Sequence, residues 1–387
     1  MRLNAFIARW PRPAPLPPLW LAASALTAAI TVAFGIARWI DHYVTNPNAE
    51  DFRLQVGAAR IGLMHGWSHI YDVDLQTAAS AGLGPIDSMH LFIGPPSTAW
   101  MAAPLAWLPL PTGYLIWTLV NLAALGAAWR LVVSSLSLAG ITILLASLAI
   151  WPMHYQFWLG HTVVATLTLL AASWFFLDRD QPSAAGIFLA LAFLFKPQDA
   201  LLVPVALLVA GRWRLVAAFA LTGAVIVALW MVSLGTAGIV SWLHAIAIVK
   251  ADPHTAPMTY AFIFGRGWLA TIVEVALGVA AMFLAWYRRD RIDLVFALGL
   301  IGTTASAIYL HEMDIAILVL ATWIVLRSGP SWTQNVWMLA GIAAAQFIAI
   351  GQAIPMLLWE PVWITLLGLE PVLKRLEGRR AVPASSG

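Results

Sequence analysis

The sequence contains no cysteine, which excludes disulfides, thiolate metal sites and a cysteine nucleophile. Charge is also scarce: Asp, Glu, Lys and Arg make up 10% of the 387 residues, against roughly a quarter in soluble domains. There is no Walker motif, no GxGxxG turn and no GxSxG elbow, so no phosphate-cradling loop or serine hydrolase is indicated. No soluble domain, internal repeat or low-complexity tract breaks the chain, and nothing suggests nucleic-acid binding. The formal charge of +3 points to no particular partner.

What fills the chain is hydrocarbon. Hydrophobic residues account for 61% of it, and many of the 21 tryptophans fall at expected helix ends, where they suit membrane interfaces. The expected fold is an all-α polytopic membrane protein. A basic, proline-rich tail (1–19) precedes an apolar run of full spanning length with no clear cleavage site after it, so it reads as a retained first helix with a cytoplasmic flank. Further spans are expected near 113–132, 137–153, 162–177, 184–195, 200–211, 215–232, 268–286, 293–309, 315–326, 335–350 and 356–372, about twelve in all with the first at 20–39. They form one integral domain (20–373) with exterior loops at 41–112 and 233–267 and a cytoplasmic tail at 374–387. The first loop holds an expected interfacial helix over Phe52–Met64. The apolar run Pro96–Leu110 is short and crowded by prolines, which predicts a re-entrant segment. Left out of the span count, it puts every Lys and Arg inside except Arg38, Arg53, Arg60, Lys196, Lys250 and Arg266, as the positive-inside rule requires. Both termini are then cytoplasmic, in an inner (plasma) membrane protein.

The same topology gathers the unusual polar residues on the exterior face. They include Asp51, His65, His69, His161, Lys196, Gln198, Asp199, Arg266, His311, Glu312 and Asp314. Ionisable residues at membrane depth are functional-site hypotheses by default. Asp51 reads either as an acid at a helix start or as a general base for a substrate hydroxyl. Lys196 ends an apolar helix before Pro197; it either snorkels to the interface or faces a phosphate as a point charge. His311, Glu312 and Asp314 form either a hydrated loop or a phosphate and acid-base contact made by His311. His65-x-x-x-His69 and His311-x-x-Asp314 are poor zinc candidates, because neither an HExxH helix nor a cysteine cluster accompanies them. No cofactor is called for, and a divalent metal, though compatible, is not demanded. A transporter of a polar lipid or an envelope-assembly scaffold is the alternative. Transporters, however, place polar groups at the midplane within repeats, and here they gather on one face.

A set of short stretches in order resembles glycosyltransferase family 87, within the GT-C class of membrane glycosyltransferases. They are Asp51-Phe52, Ala58-Ala59, Gly66-x-x-x-Ile70-Tyr71-Asp72, Pro95-Pro96, Ala103-Pro104-Leu105, Leu108-Pro109 and Trp117-x-x-x-Asn121-Leu122. Later come Leu159-Gly160-His161, Ala185-Gly186, Phe195-Lys196-Pro197, Arg212-Trp213-Arg214 and Leu310-His311-x-x-Asp314. The chain departs from the family pattern at Ile93-Gly94, at His161 where a glutamine is usual, and at Leu54 and Gln55.

The resemblance implies transfer of a sugar, mannose or a related one, from a polyprenyl-phosphate donor to a lipid or glycan acceptor at the outer leaflet, with inversion. Asp51 would be the base, Lys196 and His311 would bind the donor phosphate, and Tyr71, His161, Gln198, Asp314 and Arg266 are candidate substrate contacts.

Overall fold

The computed structural model describes residues 18–45, 49–81, 91–251 and 258–380. The ends of both tails, His90 and His254 lie outside the described residues. Among the described residues the chain is all helical, with no strand. In order the α-helices are α1 (Pro18–Thr45), α2 (Glu50–His65), α3 (Val73–Ala81), α4 (Pro96–Ala102), α5 (Leu110–Val132), α6 (Leu138–Ala149), α7 (Trp151–Leu159), α8 (Val163–Leu177) and α9 (Pro182–Ala192). They continue as α10 (Leu202–Val209), α11 (Trp213–Ala251), α12 (Ala261–Phe264), α13 (Trp268–Tyr287), α14 (Ile292–Ala305), α15 (Leu318–Arg327), α16 (Trp332–Phe347) and α17 (Ile354–Arg380). Prolines in the first turn open α4, α5, α7 and α9, where the missing N–H costs nothing. Ser137 and Ser331 cap α6 and α16 by accepting from the Gly140 and Gln334 N–H groups.

Six helical segments are long and apolar enough to cross a membrane: 19–45, 110–132, 213–250, 268–287, 332–350 and 354–377. The pair α6 and α7, bent by 62°, makes a seventh if it counts as one span. This is the architecture of a multi-pass membrane protein. Each expected span coincides with a helix, but the count of about twelve does not carry over, because several of those helices are too short to cross alone: α9 has 11 residues and α10 has 8. Each is buried on one side only, with Ile187 of α9 and Val205 and Leu208 of α10 exposed. At the centre stands α14, buried on every side from Leu294 to Ala305 and packed by α10, α13, α15 and α17.

One expectation about the loops changes. The interval 233–267 is not mainly loop, because α11 continues to Ala251 after a break at Gly235 (φ 60°, ψ −177°). Its 39 residues would extend about 57 Å if straight, nearly twice the ~30 Å hydrocarbon core. The expected helix of the first loop is present as α2, with nine of its residues buried. Phe52, Val56 and Ala59 pack with Ala102, Ala106, Tyr114 and Trp117. Arg60 straps the segment after α4 to α2 by donating to the Ala106 and Leu108 carbonyls at 2.7 and 3.4 Å.

The bundle sorts its charges end to end. At one end Arg327 pairs with Asp178 at 2.8 Å, donates to the Val132 carbonyl at 3.2 Å, and covers the Trp174 ring. Helices α8, α9 and α15 run from this end to the other, where His161, Lys196 and Asp314 stand at their far termini.

Candidate functional site

Three short irregular segments build the site: the turn between α7 and α8, the 3-10 turn Pro197–Ala200 after α9, and the 3-10 turn Glu312–Ile317 before α15. α7 closes on Gly160 in the left-handed region (φ 67°), which sends the next residue, His161, back into the bundle. Trp117 holds that turn by donating to the Gly160 carbonyl at 2.9 Å, and Tyr114 donates to the Phe157 and Trp158 carbonyls at 2.8 and 2.9 Å. Pro197 stops the preceding helical turn and leaves Lys196 with extended backbone and its side chain inside.

These turns bring Lys196, Asp314 and His161 together. The Lys196 ammonium donates to Asp314 Oδ1 at 2.5 Å, and His161 Nε2 lies 3.3 Å from Lys196 Nζ and 4.0 Å from the same Asp314 oxygen. Asp314 Oδ2 accepts the His311 backbone N–H at 2.9 Å, so both its oxygens are engaged. Asp314 is 0% exposed and Lys196 8%. His161 Nδ1 accepts the Val163 N–H at 3.1 Å.

Burial and charge act on these groups in opposite senses. Burial first, then the Lys196 charge, pushes His161 down to about 3, with Asp314 opposing. Burial lowers Lys196, but the charge of the hydrogen-bonded Asp314 carboxylate overrides it and raises its pKa. Burial raises Asp314, yet Lys196 and the nearby His161 and His311 carry it below the usual carboxylate value. The result is a desolvated ion pair beside a neutral imidazole. The ammonium has three N–H donors, and only one is committed to Asp314.

Asp51 is connected to this cluster through α7. α2 touches α7, and α7 packs on the Glu312–Ile317 turn. The charges of Glu312, Asp51 and Glu50 act on Tyr155 of α7, and those of Lys196, Asp314 and Asp51 act on Tyr309. Tyr309 in turn is 2.9 Å from His311 Nε2, ring edge against ring face. Trp151 stacks on Tyr155 and donates to Glu312 Oε2 at 3.0 Å. Lys196, Asp314, His161, His311 and Tyr309 thus form one cluster at this end of the bundle. Among the described residues no three His, Asp or Glu side chains converge as a metal site.

The remaining candidates are distributed differently. Gln198 is half-buried on the turn that follows Lys196. Tyr71 is fully buried in the first loop, stacked between Phe92 and Trp242, with its hydroxyl on the Gly94 carbonyl at 2.6 Å. Arg266 is exposed between α12 and α13 and donates to the Lys250 carbonyl at 3.3 Å. His65 and His69 are exposed, separated by Gly66 with φ 96°. Sequence reasoning gave no role to Tyr309, Tyr155 or Asp199. Tyr309 lay two residues from His311, and Asp199, though counted among the exterior polar residues, was given no specific part beside Lys196. Asp199 is 0% exposed with neither oxygen hydrogen-bonded, and burial followed by Asp314 raises it well above the usual carboxylate range against the pull of Lys196.

No curated protein and no solved structure matches the chain. The family model described as "Glycosyltransferase family 87" matches residues 92–309 of the 387, more than half the chain. The matched stretch contains His161, Lys196, Gln198, Arg266 and Tyr309, while Asp51, Tyr71, His311 and Asp314 flank it. With an all-helical bundle, several membrane-crossing helices and a match of this extent, the chain belongs to glycosyltransferase family 87.

Proposed function

We propose that this membrane glycosyltransferase moves a sugar, mannose or a related one, from a polyprenyl-phosphate donor to a lipid or glycan hydroxyl at the outer leaflet of the inner (plasma) membrane. Asp51 is the general base. It takes the proton of the acceptor hydroxyl as that oxygen attacks the anomeric carbon from the face opposite the phosphate. The bond between the anomeric carbon and the phosphate oxygen breaks, and its electron pair leaves with the polyprenyl phosphate. Lys196 and His311 stabilise the charge that grows there. The donor carries its own activated leaving group, so the step needs no nucleotide. Both termini lie in the cytoplasm.

The observation that supports this reading is the buried Lys196–Asp314 pair beside Tyr309, on which the charge of Asp51 also acts. A base and a phosphate partner on facing walls are what an inverting transfer requires. Tyr71 is read as a support of the loop wall, and Gln198 and His161 as neighbours of the donor phosphate.

The test is transfer in proteoliposomes with a panel of polyprenyl-phosphate sugars, comparing the unmodified protein with Asp51→Asn. Loss of a general base is expected to slow transfer by about 10²–10⁴-fold. Normal transfer by a folded Asp51→Asn protein would remove the base assignment. Flux of substrate across the bilayer with no transfer from any donor would favour a transporter.

A further inference from the structure

Asp199 plays no part in the reaction as described, yet it sits in the same buried cluster. The turn Pro197–Ala200 carries it inward three residues after Lys196, and neither of its oxygens has a hydrogen-bond partner. The charged groups facing it are Lys196 on its own turn and Asp314 from the turn before α15. α14, the helix packed against this turn, offers hydroxyls that are already used: Thr303 accepts the Leu202 N–H and donates to the Gly299 carbonyl, and Thr304 donates to the Ile301 carbonyl. His161 and Tyr309 act on the Lys196–Asp314 pair from its other sides.

The electrostatics of such a group are restrictive. One ammonium faces two carboxylates, and its direct bond goes to Asp314. A second anion, stripped of water and without a donor, is strongly disfavoured. An ionised Asp199 would also compete for Lys196 with any incoming anion. A phosphodiester donor brings one negative charge, and the phosphate gains another as it leaves.

We propose that Asp199 is a positioning residue that acts as a neutral, proton-bearing neighbour of the Lys196–Asp314 pair, leaving the ammonium free to take the anionic phosphate of the lipid donor. This rests on the reading of Lys196 as the donor-phosphate partner. Asp314, held by the His311 N–H on its second oxygen, keeps Lys196 aimed, and Asp199 keeps the site from carrying a surplus negative charge. The same site is closed to anions once Asp199 ionises, so phosphate binding and transfer share an alkaline limit set by this residue.

The test is a pH profile of transfer for the unmodified protein and for Asp199→Asn, which has nearly the same shape and is neutral at every pH. The unmodified protein is expected to lose activity by about tenfold per pH unit above the ionisation of Asp199, while Asp199→Asn stays within about threefold at neutral pH and lacks that limit. A folded Asp199→Asn protein slowed a hundredfold or more at all pH, or one with an unchanged profile, overturns the proposal. A second measurement covers a variant that does not fold: binding of polyprenyl phosphate by the unmodified protein between pH 7 and 9.5, where the phosphate is already close to a dianion (second pKa about 6). Binding that weakens by about tenfold per unit in the upper part of that range supports the proposal, and binding flat with pH overturns it. Absence of transfer from every donor at every pH alongside pH-dependent phosphate binding would count against the transferase reading while sparing the role of Asp199.

Discussion

A β-carbon on Gly160 would lie 2.6 Å from the β-carbon of Phe52, so the residue after Asp51 rests directly on the residue before His161. Segments more than a hundred residues apart are therefore in register at the site, with no side chain between them. The tight approach is paired with a left-handed backbone at Gly160, and both features admit only glycine.

Gly160→Ala should accordingly be costly. The left-handed conformation adds about 1–2 kcal/mol and the overlap with Phe52 about 1–3 kcal/mol more. A lower thermal midpoint in detergent and reduced transfer are expected. A midpoint equal to that of the unmodified protein would show that α2 can withdraw without loss.

Lys196 and Asp314 form a buried pair, so removing one partner should cost more than removing both. Lys196→Met or Asp314→Leu alone is expected to destabilise by about 3–5 kcal/mol, and the double substitution by clearly less, with transfer lost in all three. Denaturation of the three variants closes the cycle, and additive losses would deny the coupling. The pH sense follows from Asp314, whose pKa is lower folded than unfolded. Its stabilisation is present above the ordinary value of 3.8 and disappears as pH falls through the depressed one. Melting curves of the unmodified protein and Asp314→Asn should differ at neutral pH and converge in acid.

His161 is neutral throughout the physiological range, its pKa being pushed down to about 3. A histidine titrating near 6.5 would bend the activity profile between pH 5 and 8. His161→Gln is therefore expected to change the height of that profile and leave its shape alone. A change of slope between pH 5 and 8 on substitution would mean that His161 does titrate there.

Reporter fusions test the sidedness that the mechanism needs. Fusions ending near Asp51 and near Lys196 should report the exterior, and fusions near Arg212 the cytoplasm. A cytoplasmic signal near Asp51 would separate the base from the donor headgroup and end the proposed mechanism.

Much of this was legible in the sequence for definite reasons. Apolar length and basic clusters mark helices and their ends, so Lys196, His161 and Asp314 could be grouped before any contact was known. Burial was less legible. Glu312 and Asp314 read equally well as a hydrated loop, and only the 3-10 turn that follows His311 carries Asp314 inside. The amphipathic pattern of α2 suits a surface helix, but its partners, Tyr114 and Trp117, come from α5 and leave no local trace in α2 itself. Hydropathy marked α9 and α10 as apolar but did not reveal which of their faces is buried against protein. The helical part of 233–267 was not expected, because a second helical run follows directly on the non-helical residue Gly235.

That break leaves the part of α11 after Gly235 as an arm joined through one non-helical residue. Beyond Gly235, Gly238 lies against the Ser68 carbonyl, and Trp242 stacks on Tyr71 and donates to the Ile93 carbonyl at 2.9 Å. The arm and the first loop are thereby pinned together at two points. Inserting a single residue before Gly235 would rotate the arm by about 100° and drag the loop off its seat, although nothing near Asp51 had been altered.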